Sequence, residues 1–305
     1  MNRAWRSTLF VSSILVSTAL ASYGAITGDL STTSVGYGSA LSVQTIGTGF
    51  GNAPGGNDSV GGSELDAAYG TIAGGNLYLF LAGNFENNGN HLNIFIGSSD
   101  VPGQNVLNIG PSTEAAMNGS TFSPGFNANY MIDANDYGPN STTYVDGFNL
   151  PNGGQATQAF LGGIPMSGGI GSATLGGIGF ALVNTNGAGV DGNAGNSEPG
   201  VGAGVGVGME LAIPLSLLGN PSGAIMVMAD VNGGGDGYLS NQFLPGLASG
   251  SGNVGGGGPY AGPSSGAFNF GSTPGEYFTV VPEPSTIGLV VVGLLGALGL
   301  RRRKA

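Results

Sequence analysis

Asp230-Val231-Asn232-Gly233-Gly234-Gly235-Asp236 spaces its oxygen-bearing side chains like the start of a calcium loop. Asp230, Asn232 and Asp236 are therefore candidate metal ligands, with calcium as the candidate cofactor. The twelfth position of such a loop holds Asn241 and not the bidentate Glu that an EF-hand requires. Plain Asn/Asp/Gly turn chemistry reads the same residues without a metal. Asp133-Ala134-Asn135-Asp136-Tyr137-Gly138 has a similar look, with Tyr at its fifth position, and reads as a turn. A third acidic group, Asp58, Glu64 and Asp66, surrounds a Gly-rich loop and offers calcium another set of oxygens.

Catalytic sets are harder to assemble. Glu210 and Asp230 stand near strand ends, where two carboxylates about 5–9.5 Å apart would suit glycoside hydrolysis. Spacing along the chain does not say whether they meet. His91 is the sole His and there is no Cys, so a His-based triad or a Cys/His metal set lacks its parts. The expectation for His91 is a surface position on a strand. The glycines at 200–208 never satisfy G-x-G-x-x-G, and no helix follows them. The chain reads as a non-enzyme.

The elements that must position these residues are strands. Apolar or alternating segments predict strands at Leu41–Ile46, Leu65–Ile72, Leu77–Phe85, Leu92–Ile96 and Ala128–Ile132. More follow at Thr142–Leu150, Gln155–Leu161, Gly177–Asn184, Val207–Ile213, Ala224–Asp230 and Glu276–Val280. The first hairpin hinges at Gly74-Gly75. Leu77 to Leu81 is apolar on both faces, as a strand between two layers requires. Pro214–Leu218 predicts one helical turn closed by Gly219. Gly-Gly-Ile recurs at Gly162, Gly168 and Gly176, spaced 6 and 8, which is no regular repeat. Short strands with Gly/Asn turns and no long amphipathic helix predict an all-β domain, an antiparallel β-sandwich or jelly roll with Gly-rich loops.

Charge divides the chain. All six Lys and Arg residues lie at positions 3, 6 and 301–304, against 17 acidic residues. Between Arg6 and Arg301 the charged side chains are all acidic, with His91 the one residue able to take a positive charge. Such a domain repels phosphate backbones, so nucleic acid is excluded as a partner. A P-loop has no lysine to use. Without Cys there is no disulfide framework. Gly supplies 63 of 305 residues, well above the ~7% average, without a triplet period.

The two ends read as addresses. Arg3 and Arg6 precede the apolar run Leu9–Leu20, and Ala19-Leu20-Ala21 puts small residues at −3 and −1 of a cleavage site. Residues 1–21 therefore read as a helical signal peptide for the Sec pathway, cut by signal peptidase after Ala21. Residues 26–280 form the exported domain. At the other end Pro282-Glu283-Pro284 precedes an apolar run, Ile287–Leu300, and a basic tail, Arg301-Arg302-Arg303-Lys304. That run would reach about 21 Å as a helix, against a hydrocarbon core of about 30 Å. It is a short transmembrane helix with its cationic tail in the cytoplasm.

This order of parts over residues 281–305 resembles the PEP-CTERM protein-sorting domain, a tail also known as an ice-binding protein C-terminal domain. The resemblance implies a Gram-negative exosortase substrate, cleaved near the tripeptide, with a link to exopolysaccharide and biofilm. It implies no ice binding. Met209-Glu210-Leu211-Ala212-Ile213-Pro214, followed by Leu215–Gly219, resembles the strand-turn of DOMON-type and family 9 carbohydrate-binding β-sandwiches. Those modules stack sugars on Trp. Trp5 leaves with the signal peptide, so Tyr69, Tyr130, Tyr137, Tyr144 or Tyr238 would have to serve. The expectation is an exported surface or exopolysaccharide-matrix protein, transiently tethered to the inner membrane. The alternatives are a carbohydrate-binding module and a secreted glycan hydrolase.

Overall fold

The computed structural model describes residues 24–50, 62–85, 89–135, 142–185, 189–190, 201–255, 267–273 and 275–282. The terminal helices expected at 1–21 and 287–300 lie outside the described residues. Within them the chain is all-β. The strands are β1 (Ser42–Val43), β2 (Glu64–Ala73), β3 (Asn76–Asn84), β4 (His91–Ser98) and β5 (Ala128–Asn135). They continue as β6 (Thr142–Asn149), β7 (Thr157–Ser167), β8 (Ile170–Leu175) and β9 (Ile178–Val183). The last four are β10 (Gly208–Pro214), β11 (Ile225–Asn232), β12 (Leu239–Leu244) and β13 (Phe278–Val280).

Every strand-to-strand ladder is antiparallel, and the order is β1-β2-β3-β10-β9-β8-β7-β6-β5-β4-β11-β12, with β13 on β11. The path folds over on itself at β7. Most of β7 pairs with β6, and its last residues, Met166 and Ser167, pair with β8. The result is two layers joined at one side by β7. At the other side Leu65 N–H donates to Gln242 Oε1 (3.2 Å), and Gln44 Nε2 donates to the Phe243 carbonyl (3.0 Å). Pro282 bridges Ile72 there as well. The sheet is thus nearly closed, a sandwich with a seam between β2 and the β12–β11–β13 edge.

Alternation decides what lies between the layers. On β4, Leu92, Ile94 and Ile96 face inward, with Leu79 and Leu81 of β3, Leu211 and Ile213 of β10, and Val227 of β11. Each such side chain is fully buried or nearly so, and burial stabilises by about 1.5–3 kcal/mol apiece. Phe95 points the other way, into a second core with Phe122, Phe126, Phe148, Met228, Phe243, Phe268 and Phe270. This core lies on the outside of the β4–β5–β11 layer, under loop segments. The first layer has a smaller outer cover, where Leu30, Tyr37 and Tyr69 pack on Ala67, Phe80 and Val205.

Several expectations need correction. Ile170–Leu175 and Leu239–Leu244 are strands that residue pattern did not predict, and β7 runs on to Ser167. Leu41–Ile46 shrinks to the two residues of β1. Two of the three Gly-Gly-Ile copies have a structural reason, while the one at Gly162 lies within β7. Gly168-Gly169 and Gly176-Gly177 are two-residue hairpin loops with both φ positive (+59, +78 and +56, +85), a conformation that glycine adopts without a Cβ penalty. Met209–Gly219 is β10 followed by a 3-10 turn at Leu215–Leu218, closed by Gly219 at φ +81.

Candidate functional site

The polar residues of the second layer form a row. Across β6, β5, β4 and β11, Asp146 opposes Asp133, Asp133 opposes Asn93, and Asn93 opposes Asp230. Directly opposed residues of antiparallel strands share a face. With Ile94 and Val231 pointing inward, this row faces outward, and so does His91, two residues before Asn93 on β4. His91 is flanked by Asn135 and Asn232 on the neighbouring strands. It is 8% exposed, so the surface position expected for it is overturned: loop segments cover this face. The turn expected at Asp133–Gly138 is likewise strand up to Asn135, and 136–138 lie outside the described residues.

Asp236 comes to the row from the β11–β12 hairpin. Gly233 N–H donates to the Tyr238 carbonyl, and Asp236 N–H donates to the Gly233 carbonyl, both at 2.9 Å. Asn232 organises this loop. Its Oδ1 accepts from Gly233 and Tyr238 N–H (3.0 and 3.1 Å), and its Nδ2 donates to the Asp236 carbonyl (3.1 Å). Its side chain is therefore taken up by the hairpin backbone. Asp236 itself adopts φ +54, a left-handed conformation that Asp tolerates better than most side chains.

The contacts are close. His91 Nδ1 lies 2.9 Å from Asp133 Oδ2 and 3.0 Å from Oδ1, and 3.5 Å from Asp236 Oδ2. Asn93 Nδ2 donates to Asp236 Oδ1 (2.8 Å) and reaches Asp230 Oδ1 at 3.5 Å. Ligand atoms of His91, Asp133 and Asp236 all fall within 4.8 Å of one another. Glu114 and Met117, on a 3-10 turn at Thr113–Met117, close over the group, with Met117 Sδ 3.7 Å from Asn93 Nδ2.

Burial dominates the electrostatics. Loss of water holds the Asp133 carboxyl well above the usual carboxylate range, with the Glu114 charge adding to it. Asp230 is raised likewise, by burial first and then by Asp236. Asp236 is pushed up to about 8 by burial and the Asp133 charge, with His91 and Asn93 opposing. Buried like charges at this range cannot all ionise without a compensating cation. The set offers one imidazole nitrogen and several carboxylate oxygens, donors that suit a divalent metal. It presents almost no surface to anything larger.

The other sequence candidates are placed apart. Glu210 points out from the opposite layer, since Met209 and Leu211 on either side of it face inward. The interior core separates it from Asp230, so the two carboxylates do not face a common substrate. Glu210 clamps the N-terminal segment instead. Its Oε2 accepts from the Thr27 and Gly28 amides (2.7 and 3.0 Å), and its Oε1 accepts from the Thr33 and Tyr37 hydroxyls (2.6 and 3.2 Å). Asp66 accepts from the Val190 amide at 2.9 Å, Glu64 is buried, and Asp58 lies outside the described residues. So do Ala19, Ala21, Glu283, Pro284, Arg301, Arg302, Arg303, Lys304 and Tyr137, whereas Pro282 ends the described body at the seam.

Sequence reasoning found Asp230 and Asp236 but missed His91, Asp133, Asn93 and Glu114 as their neighbours. One signal was there: His91 and Asn93 interrupt a strand that is otherwise apolar on both faces.

The PEP-CTERM protein-sorting motif matches residues 280–304. The chain thus carries an exosortase-directed sorting signal, which implies export and placement at the cell surface or outside it. No curated protein and no solved structure matches the chain.

Proposed function

We propose that this chain is a non-catalytic surface or matrix protein, in which the β-sandwich is the exported cargo and the two ends are addresses. One observation carries the reading. The motif begins at Val280, the last residue of β13, and overlaps the described body only as far as the Pro282 bridge to Ile72, so the sorting segment starts at the edge of the folded body. Cleavage near Pro282-Glu283-Pro284 then leaves the sheet whole. Signal peptidase cuts after Ala21 on the Sec route. Residues 287–300 hold the precursor briefly in the inner membrane with Arg301–Lys304 inside, and the cargo joins the exopolysaccharide of a Gram-negative biofilm. The test is expression in a Gram-negative host with and without its exosortase. With the enzyme, intact mass gives a product lacking the apolar run, recovered from the surface or matrix. A soluble periplasmic product with its tail intact would overturn the proposal.

A second reading, carbohydrate binding, draws on a specific pair. Tyr144 and Phe160, on the adjoining strands β6 and β7, are 45% and 65% exposed, with ring centroids 6.2 Å apart. Exposed rings of this kind give sugars a face to stack on. Polysaccharide pull-down with the wild type and with Y144A/F160A, in calcium and in chelator, tests it. No retention of the wild type in either buffer sinks it. A glycan hydrolase built on Glu210 and Asp230 draws no support from two carboxylates on opposite outer faces.

A further inference from the structure

We propose that His91, Asp133 and Asp236, with Asp230 reached through Asn93, hold a divalent metal ion of the zinc and manganese class. The inference stands apart from the sorting reading and does not depend on it. It begins from charge. Between residues 7 and 300 the chain has no Lys or Arg, yet Asp133, Asp230 and Asp236 are each 3% exposed or less and converge on one patch. An uncompensated buried charge costs several kcal/mol, and His91 is the one side chain here able to carry a positive charge. A bound cation supplies the rest.

The second observation is orphaned oxygen. Asp230 Oδ2 and Asp236 Oδ2 are buried with no hydrogen-bond partner, as is Asn93 Oδ1. Buried polar atoms are normally paired. Here unpaired atoms belong to residues already joined through Asn93, whose Nδ2 touches Asp236 and approaches Asp230. Asp236 Oδ2 faces His91 Nδ1 at 3.5 Å, and Asp133 Oδ2 lies 2.9 Å from that nitrogen. An ion with bonds of about 2.0–2.2 Å keeps its ligand atoms roughly 3–3.6 Å apart. The two separations from His91 fall at that range, and the whole set, within 4.8 Å, would have to draw in around the ion.

The donor set selects the ion. Calcium and magnesium take oxygen alone, whereas an imidazole nitrogen beside carboxylates suits zinc or manganese. The calcium loop suggested by Asp230, Asn232 and Asp236 thus changes in membership. Asn232 holds the hairpin, and His91 and Asp133 join from β4 and β5. Asn93 is a positioning residue. The ion would pin the β11–β12 hairpin and the 113–117 turn to the sheet, a structural role.

The test uses the protein as purified after export. Metal analysis by plasma mass spectrometry should find close to one equivalent of zinc or manganese. After chelation, readdition of Mn²⁺ or Zn²⁺ at roughly 100 times Kd should raise Tm by about 5–10 °C. H91Q and D236N should weaken binding by at least about 10- to 100-fold, whereas E210Q, on the other face, should bind as the wild type does. If the ligand variants fail to fold, the wild type loaded with Mn²⁺ suffices, because imidazole nitrogen coupling in its electron spin-echo spectrum reports ligation by His91. The proposal is overturned by no bound metal and no thermal shift, by stabilisation with Ca²⁺ alone, or by loaded protein without nitrogen coupling.

Discussion

The two outer faces of the sandwich each bury carboxylates in a chain that has no Lys or Arg between residues 7 and 300, and they treat them oppositely. On the first layer both Glu210 oxygens are met by donors, two backbone amides and two hydroxyls. On the second layer Asp133, Asp230 and Asp236 crowd against one another around one imidazole, and oxygens of Asp230 and Asp236 have no donor. The first arrangement is complete without any added ion. The second needs protons or a cation. A buried acid is therefore not a functional signal by itself; what separates the two faces is the supply of donors.

The sharpest way to break the comparison is to empty the first face. E210A should cost roughly 2–4 kcal/mol in denaturant unfolding, because it removes at once the shared acceptor of one buried and three part-buried donors. It should also free residues 24–37 to exchange in hydrogen–deuterium measurements. E210Q should cost less, since the amide oxygen still accepts. On the second face the sign should depend on metal. D236N should lose about 3 kcal/mol relative to wild type when metal is at about 100 times Kd, and should be neutral or stabilising in chelator. An equal loss in both buffers would show the two faces to be alike.

The pH dependence sharpens the contrast. Asp236 binds its proton more tightly folded, at about 8, than unfolded near 4. In chelator it therefore favours the fold below about pH 4 and loses that advantage as pH climbs toward 8. The expected slope is about 1.4 kcal/mol per pH unit for this one group. Asp133 and Asp230, raised in the same direction, add to it. D236N should flatten the profile, and bound metal should remove most of it. The smallest effect belongs to Y37F. It takes one donor from Glu210 at 3.2 Å and should cost about 1 kcal/mol, insensitive to chelator.

Much of the fold was legible because the interior strands are apolar beyond ambiguity, as in Leu77–Leu81 and Leu92–Ile96. β8 escaped because Ile170-Gly171-Ser172-Ala173-Thr174-Leu175 carries mostly small residues and is exposed at alternate positions. β12 escaped because Ser240, Asn241 and Gln242 look like loop residues. Yet all three are fully buried, with Gln242 and Asn241 tying down the Ile46 and Gly47 carbonyls (3.2 and 2.9 Å). The site was half legible. Asp230 and Asp236 are six apart, within reach of a local motif. Asp133 lies 42 residues from His91, and only strand register joins them. Sequence spacing cannot supply that register.

The seam has a mechanical consequence. β13 contributes three residue pairs to β11, ending at Val280 opposite Ile225, and the sorting segment leaves the body there. A tension applied through the C-terminus reaches β13 end-on at Val280 and peels its bonds one after another, as a zipper opens, without loading them together in shear. The Pro282 contact with Ile72 on the β2 edge, nearer the point of pull, would yield before β13 does. A protein held by this end would part at its seam under low force, while the layers joined through β7 stayed intact.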